Sequence, residues 1–514
     1  MFSTIRLEIF QPTTTVIVGF TFVSFLVARV LFKNICRCVN PERKLPPCLT
    51  SLPIVGSLPF VGDPAFMHVH FMQKAKELGN VFAFYMCRRY VVVLNGKQAI
   101  QDAFVKQSFA FSSRTIFYLT KIINPRRAGI VEHVFDDHFK IHRRLSVNVL
   151  KNFGFGDSSM ERIITHEVED LVQRLKIKNG QPFNPEFELT AAASNVIGCM
   201  IFGKPWSKND PEFLEGIDIM HSLVRGSFKS FLINFFPILR FLPTFKQVMR
   251  NIIAADKRWV DYIKRILKRV ANEKNIKNFY TMYQSELKKM SSNSNTETNN
   301  CDIDHEEQLI STIRDLFFGG TETTATTLQW MILNMANNQT VQDKIWKELD
   351  TVVGRERFPS WEDRKKLPLI EAAILEVMRI KTLAPLAVPH STLRDCVVDG
   401  CFIPTGVMVM PNIYSVHMDP EEWPEPETFK IERFLSVDKT QIVNSDRIIP
   451  FSLGKRSCLG ESMARQELFF FTSSLIHQFK ILPPEGQKEI VSAEMPGGLT
   501  VHPAPFEVRL VARY

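Results

Sequence analysis

The stretch PFSLGKRSCLGESMARQELFFF, Pro450 to Phe471, sets one cysteine between two glycines and beside two basic residues, directly ahead of an apolar run. Leu468, Phe471 and Leu475 recur at helical spacing, so a helix follows and Cys458 stands just before its N-terminus, where a thiolate is stabilised. Gly454 and Gly460 permit tight backbone turns and the close approach of a bulky group, and Arg456 adds positive charge. An inert thiol is the plain reading of a lone cysteine. A nucleophilic cysteine needs a base and an oxyanion arrangement, and the His and Asn residues of the chain fit no such pattern. A thiolate ligand to a large planar metal complex suits the two glycines better.

The chain has 514 residues, enough for one large domain or two, with 45% hydrophobic and 23% charged residues and 42 phenylalanines. That balance excludes disorder and suits an apolar interior. The net charge of +9 fits an anionic membrane surface or an acidic partner. No basic patch interleaved with aromatics and no finger-like metal spacing supports nucleic acid. Nine cysteines, Cys36, Cys38, Cys48, Cys87, Cys199, Cys301, Cys396, Cys401 and Cys458, are odd in number and lack framework spacing, which argues for free thiols in a reducing compartment. Cys36 and Cys38 lie where acylation occurs in some chains, although unmodified thiols are the simpler reading.

Val16 to Phe32 is apolar apart from Arg29 and reaches the lower length limit of a membrane-spanning helix. A cleaved signal peptide is the rival, but the start MFSTIRLEIF has no basic n-region and no small-residue cleavage site follows, so an uncleaved anchor is expected. Arg29, Lys33, Arg37, Arg43 and Lys44 crowd its far side, which places the body in the cytosol. Three parts result: anchor and basic flank over 1–44, a proline-stiffened hinge over 45–59, and a catalytic domain over 60–514.

Within that domain the polar stretch Ser291 to Glu307 is a surface loop or boundary, and Leu309, Ile313, Leu316, Leu328, Ile332 and Met335 then predict one long helix over Glu306 to Asn337. Short strands are expected at Val91–Leu94, in CVVDGCFIP and in PFEVRLVA. The apolar loop NFFPILRFLP, Asn234 to Pro243, is too short to span a bilayer; it reads as a buried connection by default, or as a surface that dips into lipid if an anchor holds the body against a membrane.

Phe451, Gly454, Arg456, Cys458 and Gly460 satisfy F-x-x-G-x-R-x-C-x-G, and on this motif the chain resembles the cytochrome P450 superfamily, most closely the animal microsomal enzymes of the drug- and steroid-metabolising type. The resemblance covers nearly the whole chain. It implies a mainly α fold with small β-sheets, a single large domain enclosing haem b behind the membrane anchor, and Cys458 as axial ligand to the haem iron. GGTETT, Gly319 to Thr324, matches the family's oxygen-activating helix motif and gives Glu322 and Thr323 the proton-relay role; a Thr-rich segment on its own is a solvated or back-bonded face. Glu376 and Arg379 are three apart and share a helix face, and with Arg433 they match a structural triad, although Ile431 stands where the family usually has Pro.

The same resemblance assigns Arg114, Arg143, His390 and Arg456 to the haem propionates, with Phe139 in place of the usual Trp. It places Phe117, Leu119, Phe318, Gly320, the Leu386–Val388 segment and Leu499 around an apolar substrate. A monooxygenase follows, drawing NADPH-derived electrons from a membrane-bound reductase that docks on Lys140, Arg143, Arg144 and Lys455, with cytochrome b5 as a further partner and the endoplasmic reticulum membrane as its location. A sterol or steroid is the expected substrate, with fatty acids and foreign compounds as alternatives. A haem-thiolate isomerase and a haem-binding sensor are the rival functions, and Glu322 with Thr323 argues against the first.

Overall fold

The apolar repeat that begins at Leu309 becomes one helix of 33 residues, His305–Asn337, buried on nearly all sides between Gln308 and Ala336. It is the central rod of a computed structural model that describes residues 43–152, 158–224, 227–271, 278–293, 304–497 and 499–514. The extended backbone of Asp304 starts the helix, and Glu306 and Glu307 in its first turn complement the positive end of the helix dipole.

In chain order the elements that matter here are α1 Met67–Leu78, α2 Asp137–Asn152, α3 Ser158–Ile177, α4 Glu186–Phe202, α5 Ser227–Phe235, α6 Pro243–Ala271, α7 His305–Asn337, α8 Pro368–Ile380 and α9 Glu461–Gln478. Around α7 pack α4, α6, α8 and α9, and one continuous apolar core runs through them. Close approach of α7 to α4 needs Gly320, where a Cβ would stand 2.9 Å from Ile197 Cγ1.

The strands are β1 Val81–Met86, β2 Arg89–Leu94, β3 Ser113–Arg114, β4 His390–Ser391, β5 Cys396–Val398, β6 Cys401–Ile403, β7 Met408–Pro411, β8 Phe479–Leu482, β9 Glu494–Gly497, β10 Thr500–Pro503 and β11 Arg509–Ala512. One sheet has the order β1-β2-β7-β4-β3, with β2 and β7 parallel and in register at Val91 with Met408 and Val93 with Met410. The run Val91–Leu94 is fully buried, which is why it shows no alternation of apolar and polar residues. Three antiparallel pairs, β5-β6, β8-β11 and β9-β10, complete the strands of the described residues.

Two segments differ from their expected form. The hinge does not stand off as a spacer: Leu49 N–H donates to the Ala83 carbonyl (2.9 Å), Ala83 N–H to that of Pro47 (2.7 Å) and Ser57 N–H to that of Tyr85 (2.6 Å), so it lies along β1. The loop between α5 and α6 is not a buried connection, because its 3-10 turn Pro237–Phe241 leaves Ile238 73% and Phe241 70% exposed. Hydrophobicity alone does not show which side of a turn faces inward. Among the described residues no helix is long and apolar enough to cross a membrane. The Val16–Phe32 segment, Cys36, Cys38 and most of the polar stretch before α7 lie outside the described residues.

On α8, Arg379 grips Glu376 with two hydrogen bonds of 2.7 Å, both side chains fully buried, and Arg433 Nε reaches Glu376 Oε1 at 3.3 Å. Arg379 Nη1 also donates to the His417 carbonyl (2.9 Å), and the Lys430 N–H donates to Glu376 (2.9 Å). Removing one partner of a buried ion pair strands the other charge, so Arg379→Ala is expected to cost about 3–5 kcal/mol. Glu376→Gln with Arg379→Met should cost less than Arg379→Ala alone; denaturant unfolding of the three proteins checks the order.

Candidate functional site

The cysteine loop is built by backbone constraint. Gly454 adopts φ +77, and a Cβ there would lie 2.0 Å from the Phe104 carbonyl oxygen, so only glycine fits. The Cys458 N–H donates to the Phe451 carbonyl (2.9 Å), closing the loop, and α9 begins three residues later. Burial raises the Cys458 thiol pKa, while the Gly460 N–H and Arg143 pull it back towards the thiolate. The residue nevertheless keeps accessible surface.

On α7, Gly319 is exposed and a Cβ there would meet nothing within 4 Å, in a helix otherwise walled by protein. A Cβ on Gly460 likewise meets nothing. Both therefore border open space, whereas Gly320 is spent on packing against Ile197.

Four guanidinium groups gather beside the loop. Arg456 donates to the carbonyls of Ser112 (2.6 Å), Ile130 (3.0 Å) and His133, and lies over the Phe139 ring at 3.6 Å. Arg114 donates to the carbonyls of Val388 (2.7 Å) and Val131 (3.2 Å), and Arg143 to that of Ser457 (2.7 Å). Arg127 donates to the carbonyls of Arg114 and Glu132 and leaves Nε and Nη1 buried without a partner. Among the described residues none of the four forms an ion pair with a carboxylate. Burial and then mutual repulsion push Arg456 down to about 8 and Arg114 down to about 9.

Such a cluster is stable as charge only beside an anion, and the two propionates of haem are a matching pair. His390 donates from Nδ1 to the Phe111 carbonyl (2.6 Å) and stacks on Phe104, while burial and Arg114 hold its pKa well below the ordinary value. A carboxylate beside Nε2 would restore its second proton. Sulfur donor, open glycines and uncompensated guanidiniums together fit a thiolate-ligated haem. Arg127 belongs to this set and was not among the residues expected from sequence, because the pair Arg126–Arg127 in NPRRAGI carries no pattern that tells a buried arginine from a surface one.

Glu322 and Thr323 point different ways. The Thr323 hydroxyl donates to the Gly319 carbonyl (2.6 Å) on the open side of α7. Glu322 is buried and its Oε1 lies 3.0 Å from His502 Nε2 on β10; Thr326 and Thr500 hydroxyls lie 3.2 and 2.9 Å from the same imidazole. Burial, then the nearby charge of Glu186, pushes Glu322 up to about 7, and burial lowers His502. Both directions favour an uncharged carboxyl beside an uncharged imidazole. His502 was not anticipated, since a single histidine in a strand 180 positions from Glu322 gives no sequence signal.

Of the residues expected around a substrate, Phe117 and Leu386 are half-buried against one apolar cluster that also receives Phe235. Phe318 packs on the main core, Val388 supplies the carbonyl that receives Arg114, and Leu499 is exposed beside β10.

A carboxyl held at about 7 in the native protein and near 4.5 when unfolded favours the native state while protonated and loses that contribution as pH rises through 7. Glu322→Gln cannot titrate. Its stability relative to the parent protein should therefore rise between pH 5 and pH 8, by up to about 3 kcal/mol. Thermal unfolding of both proteins at the two pH values measures this, and a constant difference contradicts it.

The family model "Cytochrome P450" matches residues 46–510. Among curated proteins, the chain is 33% identical over 500 residues to cytochrome P450 2U1 of Rattus norvegicus, covering 91% of each. It is 34% identical over 493 residues to cytochrome P450 2J3 of Rattus norvegicus, covering 95% of this chain and 96% of the relative. To cytochrome P450 2J2 of Homo sapiens it is 32% identical over 484 residues, covering 94% and 93%. A chain matched from hinge to last strand, whose cysteine loop and arginine cluster fit the same cofactor, belongs to the cytochrome P450 family, in its animal microsomal class, and is a P450 monooxygenase.

Proposed function

We propose that this monooxygenase inserts one oxygen atom of dioxygen into a hydrophobic small molecule, with Cys458 as the iron ligand and with electrons from NADPH passed through a membrane-bound reductase. The observation that carries the reading is the loop geometry: Cys458 is fixed by its N–H bond to Phe451, just ahead of α9 and beside the arginine cluster, with Arg143 donating to the carbonyl of the preceding Ser457. Arg114, Arg143, Arg456 and His390 would hold the propionates, joined by Arg127. When bound, the haem supplies oxygen activation and the oxidation itself.

The chain's own residues then orient substrate, exclude water and manage protons. Thr323 donates its hydroxyl hydrogen to the Gly319 carbonyl, which leaves its oxygen as an acceptor; to relay, it would accept a proton on that oxygen while its own hydrogen leaves the carbonyl and is handed on. Glu322, uncharged near neutrality and set beside His502, is the proton reserve behind it. Phe117, Leu386, Val388 and Phe318 offer an apolar lining, and Gly320 contributes by packing, through Ile197, rather than by contact. That lining accords with a sterol or steroid and equally with fatty acids and foreign compounds.

Lys140, Arg144 and Lys455 are exposed and suit an acidic reductase or cytochrome b5, whereas Arg143 is engaged by Ser457. The exposed apolar turn at Ile238 and Phe241 suits a body resting on the endoplasmic reticulum membrane.

Cys458→Ala should abolish the thiolate band of the reduced, carbon monoxide-bound spectrum. Retention of that band in the variant would sink the ligand assignment. Thr323→Ala should keep the band yet lower product formed per NADPH roughly tenfold, the excess reducing equivalents appearing as peroxide or water, as expected when one positioned proton-transfer group is lost. Unchanged yield per NADPH argues against the relay.

A further inference from the structure

Three metal-ligand side chains converge where the loop that carries Arg127 enters α2. His133 Nε2 lies 3.3 Å from Asp136 Oδ1 and 3.3 Å from His138 Nδ1, and one ligand atom from each of the three residues falls within 4.8 Å of the others. A tetrahedron with metal–nitrogen bonds of about 2.0–2.1 Å has an edge of about 3.3 Å. Two of the separations are therefore already those between the ligands of one zinc ion.

Each ligand is also held from behind. Buried His133 donates from Nδ1 to the Arg127 carbonyl (2.6 Å), so its neutral ring turns the Nε2 lone pair towards the cluster. A bond of this kind on the far nitrogen is what fixes the tautomer and the orientation of a metal-binding imidazole. Asp136 accepts the Phe139 N–H (2.7 Å) at the start of α2, which sets its carboxylate and leaves lone pairs spare. His138, on the first turn of α2, is braced by the His142 ring, 4.2 Å away between ring centres, and His142 is hydrogen-bonded to Tyr283.

Protons alone satisfy the cluster poorly. If His138 carries its hydrogen on Nδ1 and donates it to His133, its buried Nε2 is a lone pair with no donor among the described residues. If the hydrogen is on Nε2, that N–H is the buried orphan, and the lone pairs of Nδ1, His133 Nε2 and the Asp136 carboxylate face one another with nothing between them. Burial, then the charge of His133, lowers His138 to about 4, so no proton competes for its ring at neutral pH. Lys140 is engaged by Asp137 (2.8 Å), and Arg127 and Arg456, whose charges reach Asp136, would face the haem propionates. Two imidazoles and one carboxylate suit zinc with a fourth position open to water, whereas magnesium favours oxygen ligands.

We infer that His133, Asp136 and His138 form a zinc site, separate from the haem, that clips the arginine-bearing loop to the start of α2. The carbonyls of Glu132 and His133 receive Arg127 and Arg456, so the ion and the arginine cluster share one piece of backbone. The site stands whichever molecule the haem oxidises.

Calorimetric titration of the chelator-stripped, dialysed holoenzyme with zinc chloride at pH 7.5 tests this. One saturable equivalent that a large excess of magnesium does not displace is expected. Asp136→Asn, which keeps a helix-capping side chain, and His138→Gln should each weaken that equivalent by at least about 10- to 100-fold, the loss seen even when a group that only orients a ligand is removed. Zinc should raise the thermal midpoint of the parent protein and not that of the variants. X-ray absorption at the zinc edge of the parent should show two imidazoles and oxygen at about 2.0–2.2 Å. Absence of saturable zinc binding in the parent means that protons alone fill the cluster and overturns the site, as does an affinity unchanged in both variants. Sulfur at about 2.3 Å places the metal on cysteines and overturns it equally. Should a variant lose its carbon monoxide spectrum and so its fold, the imidazole count of the parent decides: two supports the site and any other number rejects it.

Discussion

Four guanidinium groups held together with no ion-paired carboxylate among the described residues are the constraint around which the cofactor side is arranged. Arg114, Arg127, Arg143 and Arg456 take up carbonyls from residues 112, 114, 130–133, 388 and 457, so segments far apart in the chain converge because each lends a backbone dipole to the same charge cluster. For those carbonyls to point inward, the loop's N–H groups must be bonded elsewhere. Asp315 on α7 accepts from Ile130 and Val131 (2.7 and 2.9 Å), and Gln308 accepts from Gly129 (3.0 Å). The central helix therefore orients the loop that orients the arginines. Carbonyl dipoles reduce the repulsion and leave net positive charge, which an anionic cofactor edge completes.

The Glu376–Arg379 pair acts on the opposite flank. Arg379 holds the His417 carbonyl, and the His417 ring nitrogen Nε2 accepts the N–H of Ile449, the residue before the cysteine loop opens at Pro450. Arg433 and Lys430 bring the preceding meander to the same glutamate. A buried ion pair is a costly way to gain stability but a good way to fix register, since a shift of one residue would leave both charges unpaired. Here the register it fixes is that of the loop carrying Cys458.

Much of this was legible in the sequence for identifiable reasons. The loop motif carries its own geometry, because Gly454 is demanded by the Phe104 carbonyl and Cys458 by its chemistry. The helical repeat from Leu309 to Met335 predicted α7 to within one residue at its start. What escaped depends on the third dimension. His502 is an ordinary residue in a strand, and only tertiary placement gives it a glutamate. The α5–α6 turn is apolar whichever way it faces, and nothing in its residues tells that Ile238 looks outward. Gly319 and Gly320 are indistinguishable in sequence, yet one opens on a recess and the other closes on Ile197.

That last difference bears on how α7 works. The Thr323 hydroxyl bonds back to the Gly319 carbonyl and that of Thr327 to the Thr323 carbonyl, the i−4 pattern that competes with the helix's own hydrogen bonds and weakens a turn. A glycine pair just ahead weakens it further. On the α4 side the helix is pinned, because Gly320 already touches Ile197. Any local opening must therefore displace the Gly319–Thr323 face, where the recess gives it room. Glu322 stays behind, tied to His502 on β10, so the turn is hinged between a fixed acid and a yielding alcohol. Adjacent residues on one helix, about 100° apart around its axis, are in this way held in different surroundings: the acid in a dry nest beside His502 and the alcohol on the open Gly319 side.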